Sequence, residues 1–297
     1  MLPQLPFPCV DPHPPRIALL PLACDSHCHI YGPAARFPYR ADRTYDPAET
    51  PLERYEAMAR ALGLSRAVFV QPVVYNHDHS AMLDALRRGG GRYAGVAILP
   101  FDAGDDMVDT LHVHGVRGTR FNLVGPSAKS SDRDAMTALT RRVAARGWHI
   151  VAHVDTASFS EFGVWLADMT EGLSCPLIID HMARPNAGLS VDQPGFLLLL
   201  AILRRGHVWV KVSAADRMVT GAGDYAMAIP FIRALAETAP ERTLWGTDWP
   251  HPNIAYMPDD GDIIDLFHAA IDDIALRQAI LVDNPARLYD FRERSIP

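Results

Sequence analysis

The stretch CDSHCHIYGP, residues 24–33, sets His27 and His29 one residue apart, with Asp25 before them and a Gly-Pro after. In a strand the two imidazoles share a face and Cys28 points the other way. Other groups able to do chemistry fall late in short β-branched runs. They are Arg120 and Asn122 in GVRGTRFN, His153 and Asp155 in HIVAHVD, and His181 in LIIDHM; Lys211 and Ser213 follow in VWVKVS, and Asp248 in TLWGTD. Several imidazoles converging on one interior point would be costly to desolvate and would repel if protonated. A divalent ion removes that difficulty by taking neutral imidazole nitrogens together with a carboxylate. His27, His29, His153 and Asp248 are the candidate set. Three or four N/O ligands with an open position suit catalytic zinc, whose bound water ionises near neutral pH, and manganese fits a similar set.

The competing reading is that each histidine is a structural hydrogen-bonding group. A His-x-His pair is weak alone, since the chain also contains His77-Asp78-His79 and His112-Val113-His114. The second of these lies where a helix runs into a strand and reads as solvent-facing. The first sits in a YNHDHS turn entering a helix, with Asp78 as a cap and a substrate-loop role open to His77. Lys211 reads as an internal ion-pair partner rather than a Schiff-base lysine, because nothing adjacent marks it as activated. Trp245 and Trp249, flanking Asp248, read as packing.

Eight candidate strands carry these residues: 23–30, 66–73, 93–100, 115–122, 149–155, 177–182, 208–213 and 243–248. Between most of them lie stretches with helical apolar spacing, such as PLERYEAMARALG and SDRDAMTALTRRVAARG. Gly63, Gly147 and Gly206 suit helix stops. Eight βα units in one chain predict an α/β fold, a (β/α)8 TIM barrel with its active site at the C-terminal strand ends. No Gly-rich phosphate loop follows the first strand, which disfavours the open doubly wound sheet. Residues 1–22 are Pro-rich and read as an extended arm, and 23–297 as a single domain.

The net charge of −7 over 297 residues disfavours nucleic-acid binding. The longest apolar run, GFLLLLAIL at 195–203, is too short for a bilayer and reads as a buried helix. The N-terminus lacks the basic region of a signal peptide. The cysteines at 9, 24, 28 and 175 form no disulfide framework, and a reducing cytoplasm is the expectation. Oligomeric state is not legible.

Together DSHCHIYGP, RGTRFN, IIDHMARP, WGTDWPHPN and DNPARLYDF resemble the amidohydrolase superfamily. Within it they look like the branch of 2-pyrone-4,6-dicarboxylate lactonases and muconolactone lactonases. The resemblance implies a distorted (β/α)8 barrel and hydrolysis of a lactone bearing carboxylate or sulfonate groups in aromatic-compound catabolism. It implies Asp248 as general base, His27, His29 and His181 at the reacting centre, and Tyr45, Arg120 and Arg217 on substrate carboxylates. Arg184, His251 and Asn253 lie in motifs beside the site as further substrate-binding candidates. Two departures stand out. The pyrone lactonases work without a metal and carry Tyr where this chain has His153. They also place another arginine shortly after RFN, where LVGPSAKSS offers none before Lys129. Restoring a histidine on the fifth strand recreates the ligand set of mononuclear metal enzymes. The expectation is therefore a metal-dependent lactonase with one divalent ion, zinc or manganese, on His27, His29, His153 and Asp248, and with His181 stabilising the oxyanion. A metal-independent lactonase, or a lactone isomerase or decarboxylase, remains open.

Overall fold

The structure, a computed structural model, describes residues 2–124, 132–218, 225–252, 254 and 256–291. Its strands are β1 (Cys24–Cys28), β2 (Arg66–Val70), β3 (Tyr93–Ala97), β4 (Val116–Asn122), β5 (His149–His153), β6 (Leu177–Ile179), β7 (Val208–Val212) and β8 (Thr243–Trp245). They pair in parallel and in chain order as one eight-stranded sheet. The two-residue period of each strand sorts its side chains between two apolar layers. Val68, Val70, Ala94, Val96, Val151, Ile178 and Leu244 share the inner cluster with Tyr289. Ala67, Phe69, Ala97, Ile150, Ala152, Leu177, Val208 and Val210 join the larger cluster made with the helices. The result is a distorted TIM barrel.

The surrounding helices are α1 (Leu52–Leu62), α2 (Ser80–Arg88), α3 (Asp105–Val113), α4 (Arg133–Ala144), α5 (Thr156–Gly172), α6 (Pro194–Leu203), α7 (Ile229–Thr238) and α8 (Asp260–Ala270). Short helices α9 (Ile274–Gln278) and α10 (Asn284–Tyr289) follow. Helix α1 shows why the pattern works: Leu52, Tyr55, Met58, Ala59 and Leu62 form one buried stripe. It stops at Gly63, whose φ of 84° is the left-handed conformation that glycine adopts without a Cβ penalty. The run GFLLLLAIL is indeed a largely buried helix, α6. None of the described helices is long and apolar enough to cross a membrane.

The expected strands ran on further at several C-terminal ends than the observed ones. β6 stops at Ile179 and β8 at Trp245. Beyond them His181, Met182, Ala183 and Arg184 have φ values of 49–57°, and Asp248 and His251 have 63° and 59°. Non-glycine residues pay for that conformation, and such strain gathers where side chains must be aimed at a site.

Strand β1 holds the local feature that aims the two histidines. Asp25 pairs with Ala67 and Cys28 with Phe69, so three residues of β1 span two of β2. Cys24 faces the inner cluster. A strict alternation from it would send His27 outward and Cys28 inward. The extra residue reverses this, and Cys28 joins the helix-facing layer.

The β1–β8 seam is closed by Asp25. Its carboxylate accepts from the backbone N–H of His27 (3.1 Å) and Thr247 (3.0 Å) and from the Thr247 hydroxyl (2.6 Å). Asp248 N–H donates to His27 O at 2.8 Å, and His29 N–H to Trp249 O at 2.8 Å. A Cβ on Gly246 would stand 2.6 Å from His27 N and 2.8 Å from its Cβ. Gly246→Ala is therefore expected to cost at least about 1–3 kcal/mol by overpacking. The check is a denaturant midpoint that falls at unchanged slope.

Residues 2–16 lie across the barrel's outer loops. Asp46 N–H donates to Pro3 O and Leu5 N–H to Asp46 O, both at 2.9 Å. Further along, His13 Nε2 sits 3.0 Å from Asp262 and Arg16 N–H donates to Asp265 at 2.8 Å, so the segment is held to α8.

Candidate active site

At the C-terminal strand ends the bulged β1 brings His27 and His29 against Asp248 from the β8 loop. Asp248 Oδ1 lies 3.6 Å from His27 Nε2, 3.4 Å from His29 Nε2 and 3.9 Å from His181 Nε2. Its other oxygen accepts two hydrogen bonds from Arg217, from Nε at 2.8 Å and Nη2 at 2.6 Å. Arg217 reaches it from the short turn Ala215–Arg217 after β7. Burial pushes the Asp248 carboxyl up, but the Arg217 guanidinium and the surrounding imidazoles outweigh it and hold the group well below the usual carboxylate range. Asp248 is an ionised, buried carboxylate with one oxygen clamped and one facing the site.

Beneath this layer lies a charged floor. Asp180 accepts from Arg120 Nε at 3.0 Å and sits 3.3 Å from Lys211 Nζ and 3.2 Å from His27 Nδ1. Burial alone would raise its carboxyl, but Lys211, His27 and Arg120 leave it well below the ordinary value. Lys211 is thus an internal ion-pair partner. His27, fully buried and beside the lysine, is pushed down to about 3 and is neutral. His29 Nδ1 is 2.7 Å from Val70 O, a carbonyl that can only accept, so that nitrogen carries a proton. His181 pairs through Nδ1 with Ser213 Oγ at 2.9 Å.

His27, His29 and Asp248 offer three ligand atoms within 4.8 Å of one another, as do His27, Asp180 and His181. His27 Nε2 and Asp248 Oδ1 are buried without a hydrogen-bond partner among the described residues, which suits a cation between them. A buried His/Asp cluster able to hold a divalent ion therefore exists. The four-ligand cradle expected from sequence does not assemble. His153 belongs to neither group; Arg184 Nη2 lies 2.7 Å from its Nε2 and Asn122 Oδ1 2.9 Å from its Nδ1. Both ring nitrogens are already engaged.

The pocket above the cluster, about 190 Å³, is lined by His29, Tyr31, Tyr45, Asn122, His153 and His181, with Arg120, Arg184, Arg217 and Asp248. Three arginines thus face one carboxylate. Burial, then Arg217, lower Arg184 to about 10, while Asp248 supports its charge. Tyr45 meets Tyr31 hydroxyl to hydroxyl at 3.2 Å. A larger neighbouring cavity, about 550 Å³, shares Thr44, Val73, Arg120 and Asn122 with the pocket and carries His77 on its wall.

Other sequence candidates are placed elsewhere. His251 is not at the pocket but buried 3.1 Å from Asp260 and 3.7 Å from Asp216. Burial opposes its charge, yet the two carboxylates raise it to about 10, making it a cationic tie between the loops after β7 and β8 and the start of α8. Asp155 is used as the cap of α5, accepting from Ser158 N–H at 2.9 Å. Asp78 accepts from Ser80 N–H at 3.0 Å, and His79 faces Ile98 O at 3.0 Å. Trp245 and Trp249 are buried packing residues. Asn253 lies outside the described residues. Sequence reading missed Tyr31 and the part played by Asp180. Tyr31 continues the two-residue alternation of His27 and His29, and Asp180 directly precedes His181.

A family model described as amidohydrolase matches residues 24–291. The chain belongs to the amidohydrolase family. This amidohydrolase is 37% identical over 289 residues to the 2-pyrone-4,6-dicarbaxylate hydrolase of Comamonas testosteroni, covering 94% of this chain and 93% of that one. It is 38% identical over 297 residues to the 4-sulfomuconolactone hydrolase of Rhizobium radiobacter, covering 95% and 96%. The D-galactarolactone isomerase of Agrobacterium fabrum is 27% identical, with 80% of each chain covered. Among solved structures, a Pseudomonas putida protein superposes with a TM-score of 0.79 at 31% identity, covering 93% of this chain and 100% of that one. This amidohydrolase is an enzyme, a hydrolase of the lactonase kind.

Proposed function

We propose that this amidohydrolase opens a small lactone carrying carboxylate or sulfonate groups, of the sort formed when aromatic rings are broken down, without requiring a resident metal. The observation that carries this reading is the pocket's charge: three arginines around one ionised carboxylate at the strand ends. Such a wall attracts an anionic substrate and disfavours an additional cation. The names of the Comamonas and Rhizobium relatives, hydrolases of a pyrone dicarboxylate and a sulfonated muconolactone, support the same substrate class.

In this reading Asp248 Oδ1 takes a proton from water as the water oxygen bonds to the ester carbonyl carbon. Arg217 fixes the other oxygen and so aims the carboxylate. With Ser213 donating to His181 Nδ1, the His181 Nε2–H faces the site and stabilises the developing oxyanion. The ring C–O bond then breaks, and the Asp248 carboxyl returns its proton to the leaving oxygen. Arginines lining the pocket, with Tyr45 beside them, orient the substrate's anionic groups. A divalent ion, when bound, would be held by His27, His29 and Asp248 and would polarise the ester carbonyl.

The test combines elemental analysis of protein purified without added ions, turnover of a panel of acidic lactones after chelation, and product identification. We expect one acid equivalent released per lactone and turnover within about twofold of the untreated enzyme. A loss of about tenfold or more, restored by zinc or manganese, would establish metal dependence instead. Carbon dioxide, or an isomeric lactone without acid release, would overturn hydrolysis altogether.

A further inference from the structure

We infer that Asn122 and His153 are positioning residues that hold Arg184 as a seat for an anionic group on the substrate, and that this seat sets the enzyme's preference for charged over neutral lactones. The inference rests on the lactonase reading and names the groups that select its substrate.

Arginine can only donate hydrogen bonds, so the 2.7 Å contact from Arg184 Nη2 requires an unprotonated His153 Nε2. The ring proton then sits on Nδ1 and is donated to Asn122 Oδ1 at 2.9 Å. β4 and β5 supply this pair in register, Asn122 opposite His153. The imidazole is thereby an acceptor with one fixed direction. It has no lone pair left for an ion.

Arg184 is presented from the left-handed run after β6, with a φ of 49°. Its backbone carbonyl is anchored by the Thr156 hydroxyl at 2.9 Å. The guanidinium is not satisfied: Nε is buried and has no partner among the described residues. A buried charged donor without an acceptor is costly, and a carboxylate or sulfonate oxygen on the ligand would supply the acceptor. Arg120 and Arg217 line the same pocket, but Arg217 is clamped on Asp248 and Arg120 Nε on Asp180. Among the described residues Arg184 has no carboxylate in hydrogen-bond contact, so of the three it is the one aimed at a ligand rather than at a protein carboxylate.

The test uses His153→Phe, His153→Gln, whose amide oxygen can accept in place of Nε2, Arg184→Met, and the Phe/Met double variant. Each is assayed on an acidic lactone, on its neutral methyl ester, and for inorganic sulfate binding by calorimetry at constant ionic strength. His153→Phe and Arg184→Met should each raise KM for the charged lactone by about 10–100-fold, the loss expected for a hydrogen bond to a charged group, with kcat and the ester's KM little changed. The double variant should be no worse than either single one, and His153→Gln should stay near wild type. Sulfate affinity should fall in parallel, and this readout stands even if no tested lactone turns over. The inference is overturned if His153→Phe lowers kcat at unchanged KM, if charged and neutral substrates suffer equally, or if losses in the double variant add. It is also overturned if the wild type loads zinc stoichiometrically and His153→Phe abolishes the loading. Should His153→Phe not fold, Arg184→Met and His153→Gln decide it alone.

Discussion

Replacing Asp248 by Asn is expected to lower kcat by about 10²–10⁴-fold, the range lost with a positioned general base. The amide cannot take the water's proton, while its oxygen can still accept both Arg217 hydrogen bonds, which leaves the –NH2 on the side that faces the site. KM should change less than kcat if the pocket's arginines carry substrate binding. The pH profile gives a second check. Because Arg217 and the imidazoles overcome burial and depress the carboxyl, the base form persists into the acid range, and the acid limb of kcat should lie below the ordinary carboxylate value of about 4. The same depression stabilises the fold above the unfolded-state value and is lost as pH falls through the folded one, so acid should cost activity and stability together. An Asp248→Asn enzyme keeping more than about a tenth of wild-type kcat would remove Asp248 from the proton-transfer role.

Loss of Asp180 should be the most damaging change to stability. The carboxylate is fully buried and shared by Lys211, Arg120 and His27. Asp180→Ala leaves the fully buried Lys211 without its counter-charge, a break that costs about 3–5 kcal/mol. Lys211→Met should be harmful for the reciprocal reason. The double variant Asp180→Ala/Lys211→Met should be less destabilised than the sum of the two, because neither charge is left stranded. Denaturant unfolding of the four proteins completes the cycle. Strict additivity, or a single-variant loss under about 1 kcal/mol, would show that the floor is solvated rather than ion-paired.

Much of this architecture was legible in the chain. Alternating strand residues and helical apolar stripes such as that of α1 are direct consequences of local geometry, and the barrel follows from their repetition. Strand ends were overrun because His181 and Asp248 keep polar-apolar alternation while their backbones have turned left-handed. The bulge in β1 left no mark in composition, yet it decides which way His27 points. The largest departure concerns His153. Its type suited a metal ligand, but its partner Arg184 lies 31 residues on, and only tertiary placement reveals that the imidazole is already occupied. His251 failed for a similar reason: two carboxylates, one 35 residues before it and one nine after, claim it first.

The stretch of chain before β1 ties two separate parts of the barrel's surround together. One tie is to Asp46, next to Tyr45, and the other is to the start of α8, where Asp260 holds His251. The setting of these two segments is thus partly written in residues that perform no chemistry and belong to no strand. Edits to that prefix should therefore loosen or tighten the scaffold while every reacting atom keeps its place.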